Sequence, residues 1–106
     1  MEIIIAVTAL SALAQEHRLE VFRLLVPAGP EGLPAGKIGE KLDIPPSTLS
    51  FHLGQLKHAG LINCRRESRT LFYSANYTSM NELMAYLTEN CCEGKPENCD
   101  LPVGCD

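Results

Sequence analysis

Apolar positions divide the chain into five helix-length stretches and two short strand-like runs. Ile3 to Ala14 is apolar on nearly all sides, as in a helix that packs against its own subunit and a partner. Glu16 to Val26 follows, with Leu19, Phe22 and Val26 at helical spacing and Pro27 as the expected stop. Residues 27–36 hold three Pro and three Gly and read as a loop. A short helix from Pro34 to Leu42 places Ile38 and Leu42 one turn apart. Asp43-Ile44-Pro45 is a tight connection, because proline disfavours helical geometry in the residue before it.

The next stretch, Pro46 to Ala59, has two different faces. Leu49, Leu53 and Leu56 form a stripe that packs inward. Ser47, Ser50, Phe51, Gly54, Gln55 and His58 fall towards the opposite side. That outer face has hydrogen-bonding groups and almost no formal charge, where a merely solvated helix would carry Glu and Lys. Gly60 supplies a left-handed stop. Leu61 to Arg65 and Thr70 to Ser74 then read as a hairpin around the basic tip Arg66-Glu67-Ser68-Arg69. A last helix, Thr78 to Asn90, carries Met80, Leu83, Met84 and Leu87 on one face, with Tyr77 a turn earlier. There is no internal repeat. Two regions result: a folded domain over 1–90 and a Cys-rich tail over 91–106, expected to be loosely ordered unless something ties it down.

Length and charge sharpen this picture. A chain of 106 residues allows one domain, and no catalytic triad, Gly-rich phosphate loop or carboxylate pair stands apart from the elements assigned, so no enzyme is expected. At this size the core is modest, and a dimer interface is a natural further source of stability. The net charge of −4 hides a division. Residues 47–75 carry Lys57, Arg65, Arg66 and Arg69 against Glu67, whereas the segments on either side are acidic. Binding to a polyanion depends on local charge, so the acidic average does not exclude nucleic acid.

The apolar start lacks the positive leader of a signal peptide, since Glu2 follows Met1, and is too short to span a bilayer. No membrane partner is expected. The cysteines are odd in number and crowded at one end, unlike a secreted disulfide scaffold, which points to a reducing cytoplasm.

Short helix, tight turn, polar-faced helix and basic hairpin follow in the order of a winged helix-turn-helix: mainly α, with a β-hairpin wing. A helix that enters the major groove needs small and amide side chains at base edges, while flanking cations grip phosphates. Ser47, Thr48, Ser50, His52 and Gln55 supply the first, with Phe51 beside them as a further candidate contact, and Lys57, Arg65, Arg66 and Arg69 supply the second. His52 lies in angle nearer the leucine stripe, so it reads equally as a structural histidine. Phe51 is open to either a thymine methyl or another part of the protein. A helix-turn-helix that contacts only protein is the bland alternative; local positive charge favours DNA.

Ser47-Thr48-Leu49-Ser50-Phe51-His52-Leu53, followed by Leu56 and Ala59-Gly60-Leu61-Ile62, resembles the recognition helix and exit turn of the ArsR/SmtB family. Leu13-Ala14-Gln15-Glu16-His17-Arg18-Leu19 resembles the family's junction between its first two helices, and Arg66-Glu67-Ser68-Arg69 with Tyr73 its wing. The resemblance covers about residues 10–90. Ser68 stands where the wing usually has Gly, so a different turn is expected at the tip. The resemblance implies a homodimeric repressor, bound to double-stranded operator DNA and released by metal or metalloid ions, with the first and last helices at the dimer interface.

Cys91-Cys92 and Cys99 form a CC-x6-C pattern. Thiolates prefer thiophilic ions, and three of them without a nearby His suit trivalent arsenic or antimony. Structural zinc favours four ligands, which would have to recruit Cys105. The family's C-x-C arsenic site would fall around Leu33 to Leu42, where there is no cysteine. Its zinc-type site needs Asp and His on the last helix, and Tyr77 to Asn90 has neither. An arsenic-responsive subset carries a C-terminal Cys-Cys pair plus a further Cys, which Cys91, Cys92 and Cys99 resemble. The resemblance thus implies As(III) or Sb(III) as inducer and no organic cofactor. A redox switch among the tail thiols and a Cd/Zn-responsive regulator are the competing readings. Cys64, in an expected strand, reads as a small buried apolar residue.

Overall fold

A computed structural model of the chain describes residues 1–94. The elements run α1 (Ile3–Leu13), α2 (Glu16–Ala28), β1 (Leu33–Pro34), α3 (Ala35–Leu42), α4 (Pro46–His58), β2 (Ile62–Glu67), β3 (Thr70–Ala75) and α5 (Tyr77–Leu87). A single 3₁₀ turn, Cys91–Gly94, follows. Cys99 and Cys105 lie outside the described residues, as does all of the expected loose tail beyond Gly94.

The core is built where α2, α3 and α4 meet the sheet. Val21, Leu25, Ile38, Leu56 and Leu61 are fully buried at its centre. The α4 stripe Leu49, Leu53 and Leu56 faces inward as its spacing requires. In α2 the buried side is Val21, Phe22 and Leu25; Leu19 is exposed and Val26 half-buried. The expected stripe of Leu19, Phe22 and Val26 was therefore rotated, because α2 has apolar residues at too many angles for periodicity to set the phase. Pro27 does not stop α2. It forgoes one helical hydrogen bond inside the last turn, and the helix ends at Gly29, φ +85°.

Residues 27–36 are not all loop. Leu33 and Pro34 form β1, an edge strand paired antiparallel with Tyr73 and Phe72, so the hairpin becomes a three-stranded sheet of order β1-β3-β2. Gly32 permits this approach: at φ +74°, a Cβ there would overlap the Tyr73 carbonyl. The hairpin strands run two residues further towards the tip on β2 than the sequence suggests, and Glu67 pairs with Thr70. Ser68 takes the left-handed position, φ 60°, where glycine would be strain-free.

Asn76 connects the wing to α5. Its Oδ1 accepts from the Ser79 amide at 3.2 Å as the N-cap, and its Nδ2 donates to the Gly60 carbonyl at 3.0 Å. At the next residue, the Tyr77 hydroxyl donates to the Val26 carbonyl at 2.7 Å and fastens α5 to α2. The expected stripe on α5 divides: Leu83 is buried and Met80 half-buried, whereas Met84 and Leu87 are 57% and 56% exposed. On α1 only Ala6, Ala9 and Ala12 are buried; Ile3 and Ile4 are 68% and 69% exposed, and Ile5, Val7 and Leu10 are exposed with them. No helix among the described residues is long and apolar enough to cross a membrane.

Candidate nucleic-acid interface

The helix-turn-helix is set by its turn. Asp43 closes α3 in the left-handed conformation, φ 55°, and the Ile44 amide donates to the Gly39 carbonyl at 3.1 Å. Ile44 is buried and anchors the turn. Gly39 matters here because a Cβ would press on the Ile44 carbonyl. Pro45 and Pro46 then start α4 without a side-chain cap, Pro46 standing at a first-turn position where its missing N–H costs nothing.

With its leucines inward, α4 presents Ser47, Thr48, Ser50, Phe51, Gln55 and Lys57 as exposed residues. Phe51 is 60% exposed, so it does not serve the chain's own core. Gly54 lies on the same face with nothing within 4 Å of where its Cβ would be, which leaves room for close approach.

His52 does not belong to that face. It is 7% exposed, and its Nδ1 lies 3.3 Å from the Arg18 guanidinium. A guanidinium can only donate, so Nδ1 accepts and the ring is neutral, with its proton on Nε2. Burial, then the charges of Arg18 and His17, hold its pKa below the ordinary 6.5. The sequence-based placement of His52 among base-reading residues is thus corrected to a buried link between α2 and α4. Arg18 and His17, absent from the expected site residues, are the partners that the sequence concealed, because they lie 34 and 35 positions away.

The wing cations also differ. Arg65 donates to Glu67 Oε2 at 2.6 Å and to the Glu31 carbonyl at 3.0 Å, and its guanidinium sits 4.9 Å from the centre of the Phe72 ring. It braces the α2–β1 loop against the wing, so it is only partly available to a phosphate. Arg66 and Arg69 are exposed, and neither has an ion pair among the described residues. Cys64 is half-buried rather than fully buried; beside it, burial and then the thiol push the Tyr73 hydroxyl's pKa up.

Of the metal candidates, Cys91 is described and exposed, at the start of the 3₁₀ turn after α5. Its amide donates to the Thr88 carbonyl at 2.9 Å, so the cysteine pair begins directly against the end of α5.

An exposed polar helix face, held by a helix-turn-helix and flanked by a basic hairpin, is the arrangement of a winged helix-turn-helix, a class of fold used to bind DNA. The comparisons agree. Residues 13–65 match the helix-turn-helix domain family. The transcriptional activator HlyU of Vibrio cholerae is 33% identical over 88 residues, covering 83% of this chain and 79% of HlyU. The structure of reduced HlyU superposes with a TM-score of 0.66 at 32% identity, over 84% of this chain and 90% of that one. An ArsR-like transcriptional regulator from Rhodococcus shares the fold, with a TM-score of 0.75 at 21% identity over 91% and 88% of the two chains. So does a homodimeric winged helix-turn-helix DNA-binding domain from Mycobacterium bovis, with a TM-score of 0.65 at 22% identity over 89% and 87%. The chain belongs to this helix-turn-helix family of transcriptional regulators and has the winged fold of ArsR-type members.

Proposed function

We propose that the chain is a homodimeric cytoplasmic repressor that binds double-stranded operator DNA and releases it when As(III) or Sb(III) binds Cys91, Cys92 and Cys99. The observation that carries the reading is the position of the cysteine pair at the end of α5, whose Met84 and Leu87 are exposed alongside the bare apolar face of α1. A second copy covering these residues would form a dimer through α1 and α5. Ion capture by the tail then acts on the helix that sets the separation of the two recognition helices. Those helices must match half-sites about one DNA turn apart. Release requires only that the ion bind the weakly binding form better, with a coupling of about 1–3 kcal/mol.

The test uses a fluorescent duplex selected by the protein itself from a random pool. With reductant present, arsenite and antimonite should release it, and zinc and cadmium should do so less effectively. Changing Cys91, Cys92 or Cys99 singly to Ser should abolish release without weakening DNA binding, while Cys64→Ser behaves as the parent. Unchanged release in all three tail variants would overturn the metalloid site. Release by peroxide in metal-free buffer, with no response to arsenite, would establish the redox alternative.

A further inference from the structure

The described core has one buried polar side chain, His52, and it is joined to a residue that touches a third helix. Arg18 Nε donates to the Ala12 carbonyl at 2.6 Å, and Arg18 Nη1 donates to His52 Nδ1 at 3.3 Å. Ala12 lies in the last turn of α1, where carbonyls have no partner within the helix. The link therefore runs from the end of α1, through the first turn of α2, to the middle of α4. Phe51 precedes His52, its ring edge-on at 5.6 Å, and Gln55 lies one turn further on. The contact thus lies on the core side of α4, with buried Leu49, Leu53 and Leu56, away from the exposed Ser47, Ser50, Phe51 and Gln55.

We propose that Arg18 is a positioning residue for DNA binding: by joining the end of α1 to His52, it holds α4 in the orientation that reads the groove. It is a property of the DNA-binding fold and does not depend on which ion, if any, the tail captures. The link holds only while His52 is neutral. Protonation of Nδ1 would remove the acceptor and set a second cation against the Arg18 guanidinium. The groups facing the ring are Arg18 and His17 from α2, with His17 in turn 3.3 Å from Glu20; α1 contributes the Ala12 carbonyl and no charged side chain. Arg18 and His58 both line a recess of about 330 Å³, together with Thr8, Ser11 and Gln55.

This gives an unusual sign. Acidification makes a protein more positive and ordinarily strengthens its hold on DNA. Here the loss of the link should weaken it. The selected duplex is titrated by fluorescence anisotropy at constant ionic strength, at about pH 7.5 and about pH 5.5, with circular dichroism confirming that each sample is folded. The parent should bind several-fold more weakly at the lower pH. Arg18→Met keeps the aliphatic stem but no donor, and should bind about tenfold more weakly at the higher pH, the size expected for a hydrogen bond to a charged group. His52→Asn places an amide oxygen near the Nδ1 position and cannot titrate, so it should bind like the parent at the higher pH and lose the acid weakening. A further readout requires no variant: the His52 ring titration, followed by NMR in the parent, should have the same midpoint as the loss of affinity. Parental binding by folded Arg18→Met would overturn the proposal. So would acid weakening that persists in His52→Asn, or a ring titration displaced from the affinity loss.

Discussion

Burial, then Arg18 and His17 beside it, hold the His52 pKa below its ordinary value and favour the neutral ring in the folded chain. Unfolding exposes it and restores its ordinary pKa of 6.5. The unfolded chain then binds more protons, so stability should be full above that value and decline as pH falls through it towards the lowered folded value. Chemical denaturation of the parent and of His52→Asn across this window checks the sign: the parent should lose midpoint on acidification more steeply than the variant. Gly32 offers a test of backbone constraint. Gly32→Ala meets both a left-handed φ and the Tyr73 carbonyl, and should cost more than about 1 kcal/mol, read from the denaturant midpoint. An unchanged midpoint would mean that β1 does not need the approach. Asn76→Ala removes both a helix cap and the bond to Gly60, and a loss of about 1–2 kcal/mol is expected in the same measurement. At this scale the sequence was ambiguous where it mattered. The angle of His52 admitted two roles, and only the arrival of Arg18 from α2 chose between them.

Among the elements, α4 was the most legible, because its leucines and its uncharged face occupy separate angles. The phase of α2 was not, since Leu19, Val21, Phe22, Leu24, Leu25 and Val26 surround most of that helix. β1 was hidden because two residues in a Pro/Gly-rich stretch carry no periodicity; β3 makes them a strand by pairing with them. In the wing, the sequence offers three similar arginines that the structure separates by their partners. Arg66→Ala and Arg69→Ala should each weaken DNA binding and reduce the slope of log affinity against log salt by about 1. Arg65→Ala should change that slope less and lower thermal stability instead, since it frees Glu67 and the Glu31 carbonyl. Equal slope changes for all three would mean that the Arg65 brace opens on DNA.

For the whole molecule, the exposed isoleucines of α1 and Met84 and Leu87 of α5 form the surface hardest to reconcile with a lone subunit. Ile4→Glu should convert a dimer into monomers in analytical ultracentrifugation and sharply reduce affinity for a two-half-site duplex while leaving the subunit folded. A variant that still sediments as the parent would place the dimer interface elsewhere. What the sequence by itself determined is what local spacing and chemistry can carry: five helices, a basic hairpin, the outward face of α4, and a cysteine cluster beyond the last helix. These depend on residues a few positions apart, which a periodic pattern records. Tertiary structure decided which side of α2 is inside, that Leu33 and Pro34 join the sheet, that Arg65 braces a loop, and that His52 belongs to Arg18. Each of those depends on a partner more than twenty residues away, and the energy of such a contact exists only once the chain has brought the two groups together.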